Sequence, residues 1–185
     1  MSIFTDAEVV VLLADYIGID GGGKINALGL GFALAGLQPH GLTAPQHVVV
    51  MIDVPPKYAG QQFALSLELR DETAGQPVMV ATDPSGQLQP LRIQQVAQVR
   101  PPQVPGLYLP PDAVWCRIQV PVAFQDGLPV QPGHEYLWRV QIDGQTRAGW
   151  GARFFVPGPP PPPVFGGPLG PADIPNIQPP VGPIP

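Results

Sequence analysis

The sequence predicts an all-β fold: an antiparallel two-sheet β-sandwich of about eight strands, followed by an extended proline-rich C-terminal arm. Several segments alternate apolar and polar side chains with a period of two, which is the pattern of half-buried strands. Clusters of Gly, Pro and Asp separate these segments at the intervals expected of an antiparallel sandwich. No segment has a convincing helical periodicity. We expect the sandwich to occupy residues 1–156 and the arm to occupy residues 157–185.

Two strands are predicted in the N-terminal region. Residues 8–17 form an almost unbroken apolar run rich in β-branched side chains, so its portion 9–13 is expected to be covered on both faces. Residues 25–35 alternate large and small side chains, which predicts a second strand. The large apolar residues of that second strand are Leu28, Leu30, Phe32 and Leu34.

Further strand patterns follow in the middle of the chain. They cover residues 48–54, 63–70, 78–81, 92–100 and 118–124. Pro121 lies inside the last of these patterns and has no backbone N–H to donate to a neighbouring strand. That strand is therefore expected at a sheet edge or at a bulge.

A hairpin over residues 132–156 is the strongest pattern in the chain. Its first strand places one largely aromatic and apolar set on the same side: His134, Tyr136, Trp138, Val140 and Ile142. Asp143-Gly144 is a pair that tolerates the positive φ of a tight turn, so residues 145–156 are expected to return as the partner strand. Because an aromatic face needs a second sheet to cover it, we expect Trp138 in the core and Arg139 on the solvent side.

Several short motifs carry a resemblance to a known family. They are A-D-Y at 14–16, G-K-I-N at 23–26, L-G-L-G at 28–31, L-x-L-R-D-E at 67–72 and L-P-V-Q-P-G-H-E-Y-L-W-R-V-Q-I-D-G at 128–144. Together they resemble a small family of uncharacterised bacterial and actinobacteriophage β-sandwich proteins, over roughly residues 9–156. The resemblance implies a sandwich. It transfers no catalytic or binding residue, since that family has no established site.

Composition and charge exclude several classes of partner. The formal net charge is −5 and Lys24 and Lys57 are the only lysines, so no basic stripe is available to bind nucleic acid directly. No stretch approaches the roughly 20 apolar residues of a membrane span, and the acidic N-terminal region is unlike a secretory signal. The single Cys116 excludes an internal disulfide and suits a reducing compartment. We therefore expect neither nucleic-acid nor membrane binding.

One motif has the spacing of a phosphate-binding loop. Residues 18–24 read G-I-D-G-G-G-K and follow an apolar strand. Ile25 stands where the magnesium-binding Ser or Thr belongs, Asp20 places a negative charge in the loop, and a strand pattern follows where a helix should begin. The sequence therefore favours a glycine-rich hairpin turn over a nucleotide site.

Other catalytic signals are also weak. His40, His47 and His134 have no metal-site spacing, and no serine lies in a G-x-S-x-G motif. The acidic group Glu68, Asp71 and Glu72 is explained as a solvated strand end. We expect no enzymatic activity, no cofactor and no bound metal.

Interaction residues are predicted in two places. Trp150 lies between two glycines, which indicates an exposed aromatic that contacts a partner. The arm has thirteen prolines among its 29 residues and one charge, Asp173, so it favours polyproline II and presents apolar anchors to grooves on a partner. The predicted arm contacts are Pro160, Val164, Phe165, Leu169, Ile174 and Ile177.

These observations favour a structural or interaction protein. The most concrete hypothesis is a bacteriophage virion component, such as a capsid decoration or other head or tail accessory protein, whose arm docks on neighbouring subunits. Its partners would be other protein subunits, including copies of itself, and its location the virion if it is phage-encoded and the cytoplasm otherwise. The alternative is a carbohydrate- or receptor-binding β-sandwich module, with Trp150 near its site.

Overall fold

The structure is a computed structural model that describes residues 2–81, 86–103, 106–110 and 112–160. Its secondary structure is almost entirely β, as predicted, with one short helix, α1 (Ile3–Asp6), and a 3-10 turn at Pro56–Tyr58. The strands are β1 (Glu8–Ala14), β2 (Tyr16–Ile19), β3 (Ile25–Leu28), β4 (Gln46–Val54), β5 (Gln62–Asp71), β6 (Gln76–Pro77), β7 (Met79–Ala81), β8 (Leu88–Pro90), β9 (Arg92–Gln98), β10 (Cys116–Phe124), β11 (His134–Ile142) and β12 (Gly151–Val156).

The described strands form four antiparallel sheets. The first has the order β1-β4-β10, with β4 in the centre. The second has the order β12-β11-β5, and both β9 and β6 pair with the other edge of β5. The pairs β2-β3 and β7-β8 are small separate hairpins. The prediction of about eight strands is therefore too low, because residues 8–17 divide between two strands, β1 and β2, and because β6 and β8 have too few residues to show a period.

The two larger sheets share one hydrophobic core. The alternate residues of β5 and of β4 that are buried in it are Phe63, Leu65, Leu67 and Leu69, and Val48, Val50, Ile52 and Val54. Phe124 of β10 stacks on Trp138 of β11 with ring centroids 5.0 Å apart, which joins the first sheet to the second. The period of two in the sequence thus corresponds to sheets that each bury one face.

The predicted hairpin faces are confirmed. Trp138 has no exposed surface, and Tyr136, Val140 and Ile142 are buried beside it. Asp143 and Gly144 have φ of 49° and 77°, as the tight turn requires. The return strand begins at Gly151 and not at residue 145, because Gln145 forms only an isolated bridge with Ile142 and residues 146–150 form turns and irregular backbone.

Two predictions for the N-terminal half are wrong. Residues 8–17 form two strands that break at Asp15, and the first is not covered on both faces, since Val10 is 47% exposed and Leu12 half-buried. Coverage on both faces occurs instead in the neighbouring β4, where Val49 and Val50 are both buried. The difference follows from position, because β4 lies in the centre of its sheet and β1 at its edge.

The long strand predicted at residues 25–35 ends after four residues. Gly29 and Gly31 have φ of 62° and 78°, so the chain turns there and loses the alternation of a strand. Phe32 packs edge-on against Phe154 at 6.4 Å, whereas Leu28 is exposed. The edge position predicted from Pro121 is confirmed, because β10 is an outer strand of its sheet.

We expect Trp138→Ala to lower the free energy of unfolding by about 3 to 5 kcal/mol, because it empties the site between the two sheets. The matched control is Glu135→Ala on the opposite face of β11, where a partly exposed ion pair with Arg153 contributes less than about 1 kcal/mol. Chemical denaturation of both variants measures the difference. Equal losses would mean that the faces of β11 are assigned wrongly.

Candidate interaction surfaces

Trp150 is not the exposed contact that its glycine neighbours indicate. Its side chain is only 7% exposed, with the Phe4 ring edge-on at 5.3 Å and the Arg147 guanidinium 5.4 Å from its ring centre. Arg147 also donates to the carbonyl of Thr5 at 2.6 Å. The N-terminal helix therefore covers Trp150, a long-range contact that local sequence cannot reveal.

The arm residues divide between described and undescribed parts of the chain. Pro160 is exposed, as a docking residue must be. Val164, Phe165, Leu169, Ile174 and Ile177 lie outside the described residues. Their role as anchors stays a prediction.

A strip of exposed apolar side chains lies along one edge of the molecule. We call it the edge strip, and its members, each between 40% and 67% exposed, are Tyr16, Leu28, Leu30, Leu34 and Phe155. Tyr16 pairs with Leu28 in the β2-β3 hairpin, and Leu34 forms a parallel bridge with Phe155. Backbone pairing thus makes Tyr16 a neighbour of Leu28 and Leu34 a neighbour of Phe155, and Leu30 lies between the two pairs in the chain. Exposed apolar side chains grouped in this way are the kind of surface that marks an interaction site.

The backbone of residues 28–35 holds the edge strip in place. Its first part bonds to the three-stranded sheet, with Asp15 N donating to Leu28 O at 3.0 Å and Gly31 N to Leu13 O at 2.7 Å. Its last part bonds to β12, with Phe155 N donating to Ala33 O at 2.9 Å. The segment therefore spans from the edge of β1 to the edge of β12.

Gly29 suits this path. Its φ is positive, a conformation that L side chains rarely adopt, and a Cβ at this position would push the carboxylate of Asp15 aside. Because the chain turns here, the leucines of the predicted large apolar strand face lie at the surface. The sequence signal for the edge strip was the L-G-L-G motif, whose glycines indicate turns as well as close approach.

A second exposed aromatic, Trp115, lies in an open pocket of about 520 Å³. Trp115 is 44% exposed and precedes β10, and the pocket walls come from the starts of β1 and β10, the end of β4 and the loop after β9. The residues that line it are Glu8, Asp53, Arg100, Pro102, Val114, Trp115 and Arg117. Arg117 holds Asp53 through two hydrogen bonds of 2.7 Å, which raise the pKa of Arg117 further.

The outer face of the five-stranded sheet carries a buried ionic cluster. Glu68 of β5 is buried, contrary to the solvated strand end predicted for it. It accepts from Arg92 Nε at 2.9 Å and from Arg139 at 2.8 Å, and Arg70 lies 3.5 Å away. Arg139 lies on the face opposite Trp138, as predicted, but it is partly buried in an ion pair and does not stand free in solvent. Because Glu68 is directly opposite Arg139 on one side and Arg92 on the other, the cluster ties β9, β5 and β11 together.

The glycine-rich loop is a turn, as predicted. Asp20 Oδ1 accepts from the backbone N–H groups of Gly22 and Lys24, both at 2.9 Å. These are the donors that a phosphate would use, and the carboxylate of Asp20 occupies them. A strand, β3, follows the loop.

Two histidines contact groups of other segments, and the cysteine is buried. His134 Nδ1 lies 2.7 Å from Asp71, and His47 Nδ1 lies 3.1 Å from the carbonyl of Asp15. Burial raises the pKa of the Cys116 thiol, so it is neutral at neutral pH. In the described part of the chain, no three His, Cys, Asp or Glu residues are grouped to hold a metal, and no helix is long and apolar enough to cross a membrane.

Comparison with known proteins adds no identity. No protein-family model matches the chain, and no curated protein matches it. The resemblance to the actinobacteriophage family stays a prediction, and function must be inferred from the surfaces of the molecule itself.

The Glu68 cluster predicts loss of stability in acid. Burial alone would raise the pKa of Glu68. The hydrogen bonds and charges of Arg92 and Arg139 lower this pKa by more than burial raises it, so it stands below its ordinary value of 4.5. A carboxyl group whose pKa is lowered in the folded protein stabilises the fold at pH values above its ordinary pKa. That stabilisation is lost as the pH falls through the lowered pKa of the folded protein. We expect Glu68→Gln to cost roughly 3 kcal/mol at neutral pH, with the difference from wild type shrinking below pH 4.5.

Thermal melts of wild type and Glu68→Gln across acid and neutral pH measure this difference. Glu72→Gln is the matched control, because Glu72 is partly exposed and its ion pair with Arg153 is 3.3 Å long. The control should shift stability by less than about 1 kcal/mol. A constant gap between wild type and Glu68→Gln at every pH would contradict the role assigned to the cluster.

Proposed function

We propose that this protein is a structural interaction protein, a virion component of an actinobacterial phage of the capsid decoration or head or tail accessory kind. The edge strip is the observation that carries the interaction role. The motif resemblance given above supports the phage assignment. In this role the protein binds other protein subunits and performs no chemistry.

The edge strip supports attachment for an energetic reason. Its five large apolar side chains remain in water in the isolated chain. Burying such side chains against a partner contributes about 25 cal/mol for each Å² removed from water. Because the strip is fixed by backbone hydrogen bonds to both larger sheets, docking costs little conformational entropy.

We further propose that the two larger sheets are the two layers of a β-sandwich at residues 1–156. The shared core and the Phe124–Trp138 stack support this arrangement. The remaining 29 residues are proposed to be a polyproline II arm that reaches neighbouring subunits. Such an arm carries few donors for a strand ladder and binds through its side chains.

A carbohydrate- or receptor-binding module is the second candidate. With Trp150 buried, this candidate depends on Trp115, whose exposed ring lies beside the carboxylates of Glu8 and Asp53. An aromatic ring beside hydrogen-bonding groups is an arrangement that can stack on a sugar. Glycan-array binding that disappears in Trp115→Ala would favour this candidate.

The main proposal predicts that charge in the edge strip blocks attachment. We expect Leu30→Glu combined with Leu34→Glu to lower occupancy on purified virions roughly tenfold or more, because a carboxylate in an apolar contact must be desolvated. Quantitative mass spectrometry of particles carrying each variant measures occupancy. Val96→Glu is the matched control, since Val96 is an exposed apolar residue on β9, away from the strip. Undiminished occupancy of the double variant would refute the proposal.

Deleting residues 157–185 is expected to leave the melting temperature nearly unchanged. All the strands of the described chain end at or before Val156, and Pro157 to Pro160 are exposed. Calorimetry of the truncated and full-length proteins provides the comparison, and virion occupancy of the truncated protein should fall. A large drop in melting temperature would show that the arm belongs to the core.

A further inference from the structure

We infer that the Trp115 pocket receives the proline-rich arm of a second copy of this chain. The inference rests on the proposed function, because it names the docking site of the arm that the proposal assigns to subunit contacts. Three observations support it: the chemistry of the pocket, the chemistry of the arm and the place where the arm leaves the domain.

The pocket has the features that proline-rich segments recognise. Its exposed wall includes the indole of Trp115 beside Val114 and Pro102, and polyproline segments dock on grooves lined by aromatic rings. All three tryptophans of the chain lie in the described residues, and Trp115 is the one that is substantially exposed. A flat ring at the surface can stack on a pyrrolidine ring with little loss of rotamer freedom.

The charges of the pocket also fit a nearly uncharged ligand. Two acids, Glu8 and Asp53, face two arginines, Arg100 and Arg117, so the lining carries no net charge. Arg117 and Asp53 already satisfy each other through two hydrogen bonds. The arm carries one charged side chain in 29 residues, so it adds almost no charge to a lining whose charges balance.

The arm leaves the domain at the end opposite to the pocket. The pocket is at the start of β1, where Glu8 pairs with Asp53. The start of β12 lies near the same end as the pocket, because the preceding Trp150 contacts Phe4. The end of β12 lies near the far end of β1, because Phe155 bonds to Ala33 and Gly31 bonds to Leu13. Seven residues of β1 separate the ends, about 20 Å.

This geometry favours a second copy over the chain's own pocket. The first part of the arm contains five consecutive prolines, residues 159–163, a composition that favours a stiff polyproline II stretch of about 15 Å over an immediate turn back toward the same chain's pocket. An arm at one end and its receptor at the other make a head-to-tail contact, which builds rings or filaments. The 25 residues after Pro160 can extend to about 78 Å, enough to reach a neighbour.

The test uses full-length protein throughout. Sedimentation velocity over a concentration series should show self-association in wild type. Trp115→Ala should weaken it roughly tenfold or more, as expected for an aromatic at the centre of an interface. Tyr108→Ala is the matched control, because Tyr108 is a more exposed aromatic in the same connection between β9 and β10 and does not line the pocket. Circular dichroism should show both variants to be folded.

A mixing experiment tests the head-to-tail arrangement. The arm variant Phe165→Asp with Leu169→Asp keeps the pocket but should lose the anchor, whereas Trp115→Ala keeps the arm but should lose the receptor. Each variant alone should be monomeric. Mixed, they should form a complex of one copy of each that cannot grow, because each supplies what the other lacks. Absence of this complex would overturn the inference, as would unchanged self-association of Trp115→Ala.

Acrylamide quenching of fluorescence identifies the occupant. Trp138 and Trp150 are buried, so quenching reports mainly on Trp115, and it should fall as wild type associates and stay high in the arm variant. If wild type is a monomer at every concentration and Trp115 is shielded in wild type but not in the arm variant, the chain's own arm fills the pocket. That result overturns the second-copy inference. If glycans protect Trp115 from acrylamide and the arm variant behaves like wild type, the inference is overturned in favour of sugar binding.

Failure here is separable from failure of the proposed function. The edge strip is at the β1–β12 side, and its Glu variants are scored by virion occupancy. If the Glu variants lose occupancy while Trp115→Ala self-associates like wild type, the interaction role is supported and the arm site is rejected.

Discussion

Strands at the edges of sheets carry unpaired N–H and C=O groups, which need hydrogen-bond partners. At one side of the core, the segment that supplies these partners also determines which side chains are exposed. Residues 28–35 bond to Leu13 of β1 and to Phe155 of β12 and so connect the two larger sheets. The turn at Gly29 that permits this path also directs leucine side chains away from the core. The candidate interaction surface is therefore a consequence of how the fold closes.

The other exposed faces are built differently. On the outer face of the five-stranded sheet, Glu68 is buried among arginines that belong to the flanking strands. Those charges are matched within the chain, so a partner on that face would have to compete with existing ion pairs. At the β1–β12 side, by contrast, the exposed side chains of the edge strip are apolar, and the hydrogen bonds that hold the segment are made by the backbone. This asymmetry is the reason why we propose a stabilising role for the Glu68 cluster and a binding role for the edge strip.

Sequence periodicity predicted the parts of the fold in which one face of a strand is buried by its neighbours. β5 and β11 follow this rule, and so does the turn at Asp143 and Gly144. It failed where tertiary context decides: Trp150 is covered by a helix from the other end of the chain, and Glu68 is neutralised by strands distant in sequence. Neither of the two candidate surfaces was predicted: the L-G-L-G motif indicates a turn, but a leucine that faces water and one that faces the core have the same local pattern.

The central claim is that the edge strip is covered by another protein in the assembled state. Hydroxyl-radical footprinting of the free protein and of the protein on purified virions tests it directly at single residues. The account predicts that labelling of Leu28, Leu30, Leu34 and Phe155 falls several-fold on the particle, while labelling of the exposed Met79 and Val96 is unchanged. Equal labelling of the edge strip in both states, with the protein bound, would contradict it.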